Sequence, residues 1–171
     1  MFTFASIVIK LNQVYISLGS NAGDRAAMLQ QAIILLQQLG EVTTISSIYE
    51  TTAWGNTDQP SFLNLVLLMQ TKQTAINFMQ ELISIEKKMG RVRNQKWEAR
   101  IIDLDILFFN DEVINETDLK VPHPFLHKRK FVLEPLAEIA PHLMHPVLKQ
   151  QVLQLLEDCA DKLSVNRLAH A

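Results

Sequence analysis

The sequence predicts an α+β fold: a ferredoxin-like βαββαβ sandwich, with an antiparallel sheet flanked by helices and a helical C-terminal appendage. Two observations lead there. Two stretches carry apolar residues at helical spacing, and four runs rich in β-branched and apolar residues surround them in the order β-α-β-β-α-β. Beyond residue 110 the pattern changes to helical pieces bounded by prolines.

Val14–Leu18 is the first predicted strand, closed by the turn cluster Gly19-Ser20-Asn21. Asp24 is placed to cap a helix running to Leu39, with Met28, Leu29, Ile33, Leu36 and Leu39 as its apolar stripe and Gly40 just beyond. Val42–Thr52 reads as a second strand. Ala53–Ser61, holding Gly55, Asn56, Asp58 and Pro60, reads as a long loop, and Phe62–Thr71 as a third strand. A second helix is predicted over Thr74–Met89, with Ala75, Ile76, Met79, Leu82, Ile83 and Ile85 on one face and Gly90 at its end. Arg91–Arg100 is a polar, basic loop, Ile101–Phe109 a fourth strand, and Asn110-Asp111 a turn into Val113-Ile114. Pro122, Pro124, Pro141 and Pro146 punctuate helical pieces at about Lys128–Ala140 and Val147–Asp158. Residues 1–12 read as an N-terminal extension with the character of a short extra strand, and 13–171 as a single domain. The extension lacks the basic flank and cleavage site of a signal peptide.

Composition narrows the function classes. The chain has 171 residues, 48% of them hydrophobic and 20% charged, an ordinary globular mix long enough for a proper core. A net charge of -2 and a pI of about 6.2 argue against a protein held to nucleic acid by general electrostatics. Any anionic ligand must therefore meet a local basic cluster. Cys159 is the one cysteine, which excludes an intrachain disulfide and a thiolate zinc site, and fits a reducing cytoplasm. No apolar run approaches the roughly 20 residues of a membrane helix.

The chemistry concentrates in Ile102-Asp103-Leu104-Asp105-Ile106-Leu107-Phe108-Phe109. Alternation along a strand puts Ile102, Leu104, Ile106 and Phe108 on one face and Asp103 with Asp105 on the other. Two carboxylates about 7 Å apart in an apolar segment repel each other and are costly to desolvate. A hard divalent cation relieves both costs, and oxygen ligands suit magnesium. A solvent-facing pair, or one neutralised by nearby arginines, is the plainer alternative. The preceding loop, with Arg91, Arg93, Lys96 and Arg100, favours phosphate, because guanidinium forks match phosphate oxygens while a metal clamps from the other side. P-loop and G-x-G-x-x-G motifs are missing, so side chains and magnesium must hold any nucleotide. Trp54, Phe62, Trp97 and Phe131 are candidates to sandwich a flat heterocycle, and Asn64, inside an apolar strand, to read its edge. A non-catalytic ligand-binding or regulatory module on the same sandwich needs no acidic pair. An RNA-recognition module needs an aromatic-rich strand that the chain lacks.

The segments Tyr15–Asn21, Ser47–Thr51, Asp58–Asn64, Gly90–Arg93, Arg100–Ile106, Val121–Pro124 and Phe131–Leu136 together resemble the 6-hydroxymethyl-7,8-dihydropterin pyrophosphokinase family of folate biosynthesis. The R-x-x-D-x-D segment with its upstream G-R-V-R is the most specific part. The resemblance implies a cytoplasmic, monomeric enzyme acting on small molecules, ATP and the dihydropterin, with no nucleic-acid or membrane partner. It implies two magnesium ions on Asp103 and Asp105, which with Arg93 and Arg100 form the catalytic set. It further implies ATP contacts from Glu86, Arg93, Arg100, Ile106, His123 and Arg129, and pterin contacts from Thr51, Thr52, Trp54, Phe62, Asn64, Trp97 and Phe131. Three positions depart from the family pattern: Glu98 replaces Gly or Ala, Thr52 a common Pro, and Pro124 a common aromatic.

Overall fold

The computed structural model describes residues 10–52, 59–91 and 100–168. Its sheet is antiparallel throughout. Strand β1 (Asn12–Ser20) lies between the central β4 (Phe62–Thr71) and β5 (Asp103–Phe109). On the far side of β4 run β2 (Glu41–Ile45) and β3 (Tyr49–Thr51), and β8 (Val165–Arg167) extends the sheet beyond β3. Helices α1 (Arg25–Leu36) and α2 (Ala75–Lys88) form the two crossovers, which gives the expected βαββαβ order with β2 and β3 together in the place of its second strand. A two-stranded ribbon, β6 (Ile114–Asn115) with β7 (Lys120–Val121), a 3-10 turn (Leu126–Lys128), α3 (Lys130–Ile139) and α4 (Val152–Glu157) follow β5.

Each face of the sheet carries its own core. Val14, Ile16, Leu18, Leu65, Leu67, Leu104 and Ile106 pack against Leu29 and Leu36 of α1 and Phe78 and Leu82 of α2. Val66, Leu107 and Phe108 pack against Val132, Leu133 and Leu136 of α3 and Val152 and Leu155 of α4. Local signals behave as chemistry requires. Asp24 accepts from Ala27 N at 3.1 Å and Thr74 from Asn77 N at 3.4 Å, so both helices start on side-chain caps. Gly40 is needed because a Cβ there would lie 2.1 Å from Gln70 O. No helix among the described residues is long and apolar enough to cross a membrane.

Five details depart from the expectation. The single strand expected over Val42–Thr52 is two, because Ser46 interrupts it: its N–H donates to Val66 O at 2.9 Å while its hydroxyl accepts from Val66 N at 3.0 Å. The side chain thus takes a backbone place in the ladder and shifts the register. Gly19 and Ser20, read as a turn, complete β1 and pair with Asn64 and Leu63. In β5 the alternation breaks at a bulge, since Ile106 pairs with Ile16 but Phe108 with Tyr15. Phe108 therefore joins Leu107 on the α3 face rather than Leu104 and Ile106 on the other. The last helix starts only at Val152, because the His145 Nδ1 captures the N–H groups of Val147 and Leu148 in a turn at 3.2 and 3.1 Å. Finally β8, absent from the expected elements, is pinned by Arg167, which reaches Glu138 at 2.8 Å and Ser47 Oγ at 2.9 Å.

Candidate active site

Asp103 and Asp105 enter the site from β5 on the face that α3 covers further along. Opposite them on β1 stand Gly19 and Ser17. These neighbours are small, whereas the other end of the sheet is filled by Phe108 and α3. Asp103 keeps 21% and Asp105 36% of its side chain accessible.

The two carboxylates have different partners. Both oxygens of Asp103 face guanidinium groups: Oδ1 lies 2.6 Å from Arg91 Nη1, and Oδ2 pairs with Arg100 Nη1. Arg91 is delivered by the end of α2. Gly90, at φ +91°, turns the chain so that Gly90 N donates to Lys87 O at 3.0 Å and Arg91 N to Glu86 O at 2.9 Å. This is a Schellman closure, and it brings Arg91 back against the side chain of Glu86. Glu86 is 2% exposed; its Oε1 pairs with Arg91 and accepts from Leu104 N at 2.9 Å. Arg91 Nη1 so bridges a buried carboxylate and a site carboxylate. Arg100 is fixed through its backbone by Asn21, whose Oδ1 accepts from Arg100 N at 2.6 Å and whose N–H donates to Arg100 O at 3.0 Å. The Asn21 amide also reaches Gln59 Oε1 at 3.2 Å and Pro60 O at 3.4 Å, joining both chain segments that flank the site.

Asp105 has looser company. Its Oδ2 lies 3.8 Å from His123 Nε2 and 4.0 Å from Arg129 Nη1, beyond hydrogen-bond length. Burial first, and the neighbouring Asp103 charge second, push its carboxyl up to about 7. His123 is held by its N–H on Leu107 O at 3.0 Å, and its Nδ1 accepts from Phe125 N at 3.2 Å. Burial, then the Arg129 charge, lower its imidazole to about 4, so at neutral pH it is a neutral ring. Burial likewise lowers Arg129, against the Asp105 and Asp103 charges. Two hard carboxylates side by side, the Asp105 group held up by burial and by its neighbour's charge, are a donor set suited to magnesium. No group of three His, Cys, Asp or Glu side chains gathers among the described residues, so those residues supply no closed cage. Magnesium commonly takes one or two carboxylates and completes its shell with water and substrate phosphate. The residues fit that arrangement.

On the other side of Gly19, β4 and β3 bring Phe62, Asn64 and Thr51 to the same face. Thr51 and Asn64 are 2% and 3% exposed, and Asn64 Nδ2 donates to Thr51 Oγ1 at 2.9 Å. A methyl on Gly19 would approach Asn64 Oδ1 to 3.0 Å and Phe62 Cδ1 to 3.7 Å, so the glycine keeps the approach to both side chains clear. Phe62 is half-buried, as is Phe131, which packs beside the second core near the start of α3. Thr52 is exposed at the end of β3. Ile106 is 4% exposed with its side chain in the first core, leaving only its peptide group for a ligand. Trp54, Arg93 and Trp97, with Lys96 and Glu98, lie outside the described residues.

Three site residues escaped the sequence reading. Arg91 was one basic residue among several, Asn21 part of a turn and Gly19 its glycine. Arg91 carried the one usable signal, its place directly after a helix-ending glycine, and for the other two the strand pairing had to be known.

The comparisons with known proteins agree on one family. A family model described as 7,8-dihydro-6-hydroxymethylpterin-pyrophosphokinase (HPPK) matches residues 15–141. Two relatives carry the name 2-amino-4-hydroxy-6-hydroxymethyldihydropteridine pyrophosphokinase. The one from Aquifex aeolicus is 44% identical over 137 residues, 80% of this chain and 86% of its own. The one from Bacillus subtilis is 47% identical over 130 residues, 75% of this chain and 78% of its own. Among solved structures, a Plasmodium falciparum HPPK-DHPS superposes with a TM-score of 0.72 at 18% identity, covering 90% of this chain and 46% of that one. The chain thus spans about half the length of that protein, and the likeness speaks for the fold.

Proposed function

Because the chain belongs to the hydroxymethyldihydropterin pyrophosphokinase family, ATP-dependent transferases of folate biosynthesis that pass a pyrophosphoryl group to the pterin, we propose that Asp103 and Asp105 hold two magnesium ions for that transfer. One observation carries this reading: the two carboxylates share a face at one end of β5, ringed by Arg91, Arg100, Arg129 and His123. An acidic pair inside a basic ring suits a metal-bound polyphosphate and little else. Magnesium there would neutralise the triphosphate and lower the cost of bringing a hydroxyl to it.

The oxygen of the pterin hydroxymethyl loses its proton to solvent and forms its new bond to the β-phosphorus while the bond from that phosphorus to the α-β bridging oxygen breaks, and AMP leaves with that oxygen. The protein's own part is positioning and charge. Arg100, which pairs with Asp103, would turn to phosphate where magnesium holds that carboxylate. Arg93 acts with it. Arg129 and the neutral His123 donate to phosphate oxygens. Ile106 contributes through its peptide group, and Glu86 through Arg91, which it holds. Thr51 and Asn64 read the pterin edge, Phe62 and Phe131 stack on its faces, and Thr52, Trp54 and Trp97 border it. Residues 13–171 act as one catalytic domain, and the protein works as a cytoplasmic monomer on these two small molecules.

The test is to incubate the protein with magnesium, ATP and the hydroxymethyl-dihydropterin and to identify the nucleotide product. AMP supports the reading, and ADP or no product overturns it. Asp105→Ala is expected to abolish AMP formation while the chain stays folded; wild-type turnover by that variant would remove the metal assignment. With a cleavage-resistant ATP analogue, manganese binding should titrate to two ions per chain.

A further inference from the structure

Phe125 stands half exposed, with 50% of its surface open, immediately before the 3-10 turn anchored by the fully buried Leu126. It joins neither core. Its surroundings are those of the site instead. The Arg129 Cζ lies 5.5 Å from the centre of the Phe125 ring and 5.8 Å from that of Phe131, so the guanidinium lies over two aromatic rings. The Phe125 ring also meets the His123 ring at 6.1 Å, inclined by 61°. Arginine is a long side chain with much rotamer freedom to lose, and an aromatic face attracts its cation. Two such faces fix where the charge lies. That location is 4.0 Å from Asp105 Oδ2, near enough to feel the carboxylate and too far for a hydrogen bond.

We infer that Phe125 is a positioning residue for ATP, holding Arg129 against its own ring and that of Phe131 so that the guanidinium is directed to the phosphate site. The inference rests on the placement of Arg129 in the ATP site under the proposed function. Phe125 touches neither substrate nor metal in this role; it acts through Arg129. Without the ring, Arg129 gains rotamers, and its charge is less closely held at the phosphate site. Substitution leaves the backbone N–H of residue 125 on His123 Nδ1, so the ring alone is changed.

The experiment measures, by isothermal titration calorimetry, the affinity of the protein for the magnesium complex of α,β-methylene-ATP, which cannot be cleaved at the reacting bond. Phe125→Leu should weaken binding about two- to fivefold, the fold-change that corresponds to one exposed cation–π contact. Phe125→Tyr, which keeps an aromatic face, should bind within about twofold of the wild type by the same reasoning. In an Arg129→Ala background, Phe125→Leu should have no further effect. An unchanged affinity in Phe125→Leu overturns the inference, as does a loss that Phe125→Tyr shares or that persists without Arg129. Should Arg129→Ala itself leave the affinity unchanged, the placement of Arg129 at ATP falls, and the role of Phe125 with it. A loss with Arg129→Ala but none with Phe125→Leu refutes the role of Phe125 alone.

Discussion

Glu86 is the buried support on which the acidic pair depends, and its removal can be followed in both stability and activity. It is 2% exposed, pairs with Arg91 and accepts the Leu104 N–H at 2.9 Å. Removing one member of a buried ion pair costs about 3–5 kcal/mol, because the other charge is left without its partner. Arg91 retains Asp103 at 2.6 Å, so its charge is not orphaned, and the lower end of that range, about 3 kcal/mol, applies to Glu86→Ala. At about 2–4 °C per kcal/mol for a chain of this size, the melting temperature should fall by about 6–12 °C. Glu86→Gln keeps an acceptor for Leu104 N and should lose about half as much. In both variants Arg91 no longer has a fixed root, and kcat/KM for ATP should drop about tenfold or more, as when a residue orienting a metal ligand is lost. Urea unfolding and calorimetry read the first effect, and steady-state AMP formation the second. A Glu86→Ala protein that loses less than about 1 kcal/mol and turns over normally would refute the account of the Glu86–Arg91–Asp103 chain.

Three further outcomes are expected. Arg100→Ala should lower kcat about a hundredfold or more, the usual scale for losing one charge-stabilising donor, while pterin affinity measured by fluorescence changes little; equal losses in both would place Arg100 in substrate binding instead. Gly19→Ala should leave the melting temperature nearly unchanged but weaken pterin binding, since its methyl would crowd Asn64 Oδ1 at 3.0 Å; calorimetric titration with the pterin would detect it. For Glu138, burial pushes the carboxyl up, but the hydrogen bonds from Ser47 and Tyr49 and the Arg167 charge outweigh it and hold it below its ordinary value. A lowered carboxyl contributes stability above the unfolded value of about 4.3 and loses it as pH falls through the folded one. Glu138→Gln should therefore flatten the acid limb of a melting-temperature profile and loosen β8, which Arg167 ties to that carboxylate at 2.8 Å.

The elements legible in the sequence were those whose signal is local. Asp24 and Thr74 mark helix starts because a cap is a contact over three residues, and Gly90 marks an end because only a residue tolerant of φ +91° completes that turn. The break at Ser46 was hidden, since a serine inside a β-branched run looks like strand until Val66 is known to lie opposite. β8 was hidden for the same reason: three residues have no periodicity to read, and what makes them a strand is pairing with Tyr49–Thr51. The bulge at Leu107 misplaced Phe108, because strict alternation has no way to register an extra residue.

The site divides along the same line. Sequence alone determined that Asp103 and Asp105 share a face, since one residue between them on a strand leaves no other choice, and that a basic loop precedes them. Tertiary structure decided how the two differ. Asp103 is enclosed by Arg91 and Arg100, one brought by the end of α2 and the other held by Asn21, 79 residues away. Asp105 faces His123 and Arg129 from beyond β5 at distances that leave its oxygens open. Charge in a chain is a property of residues, but its strength depends on burial and on the charges nearby, and both are set only when distant segments meet.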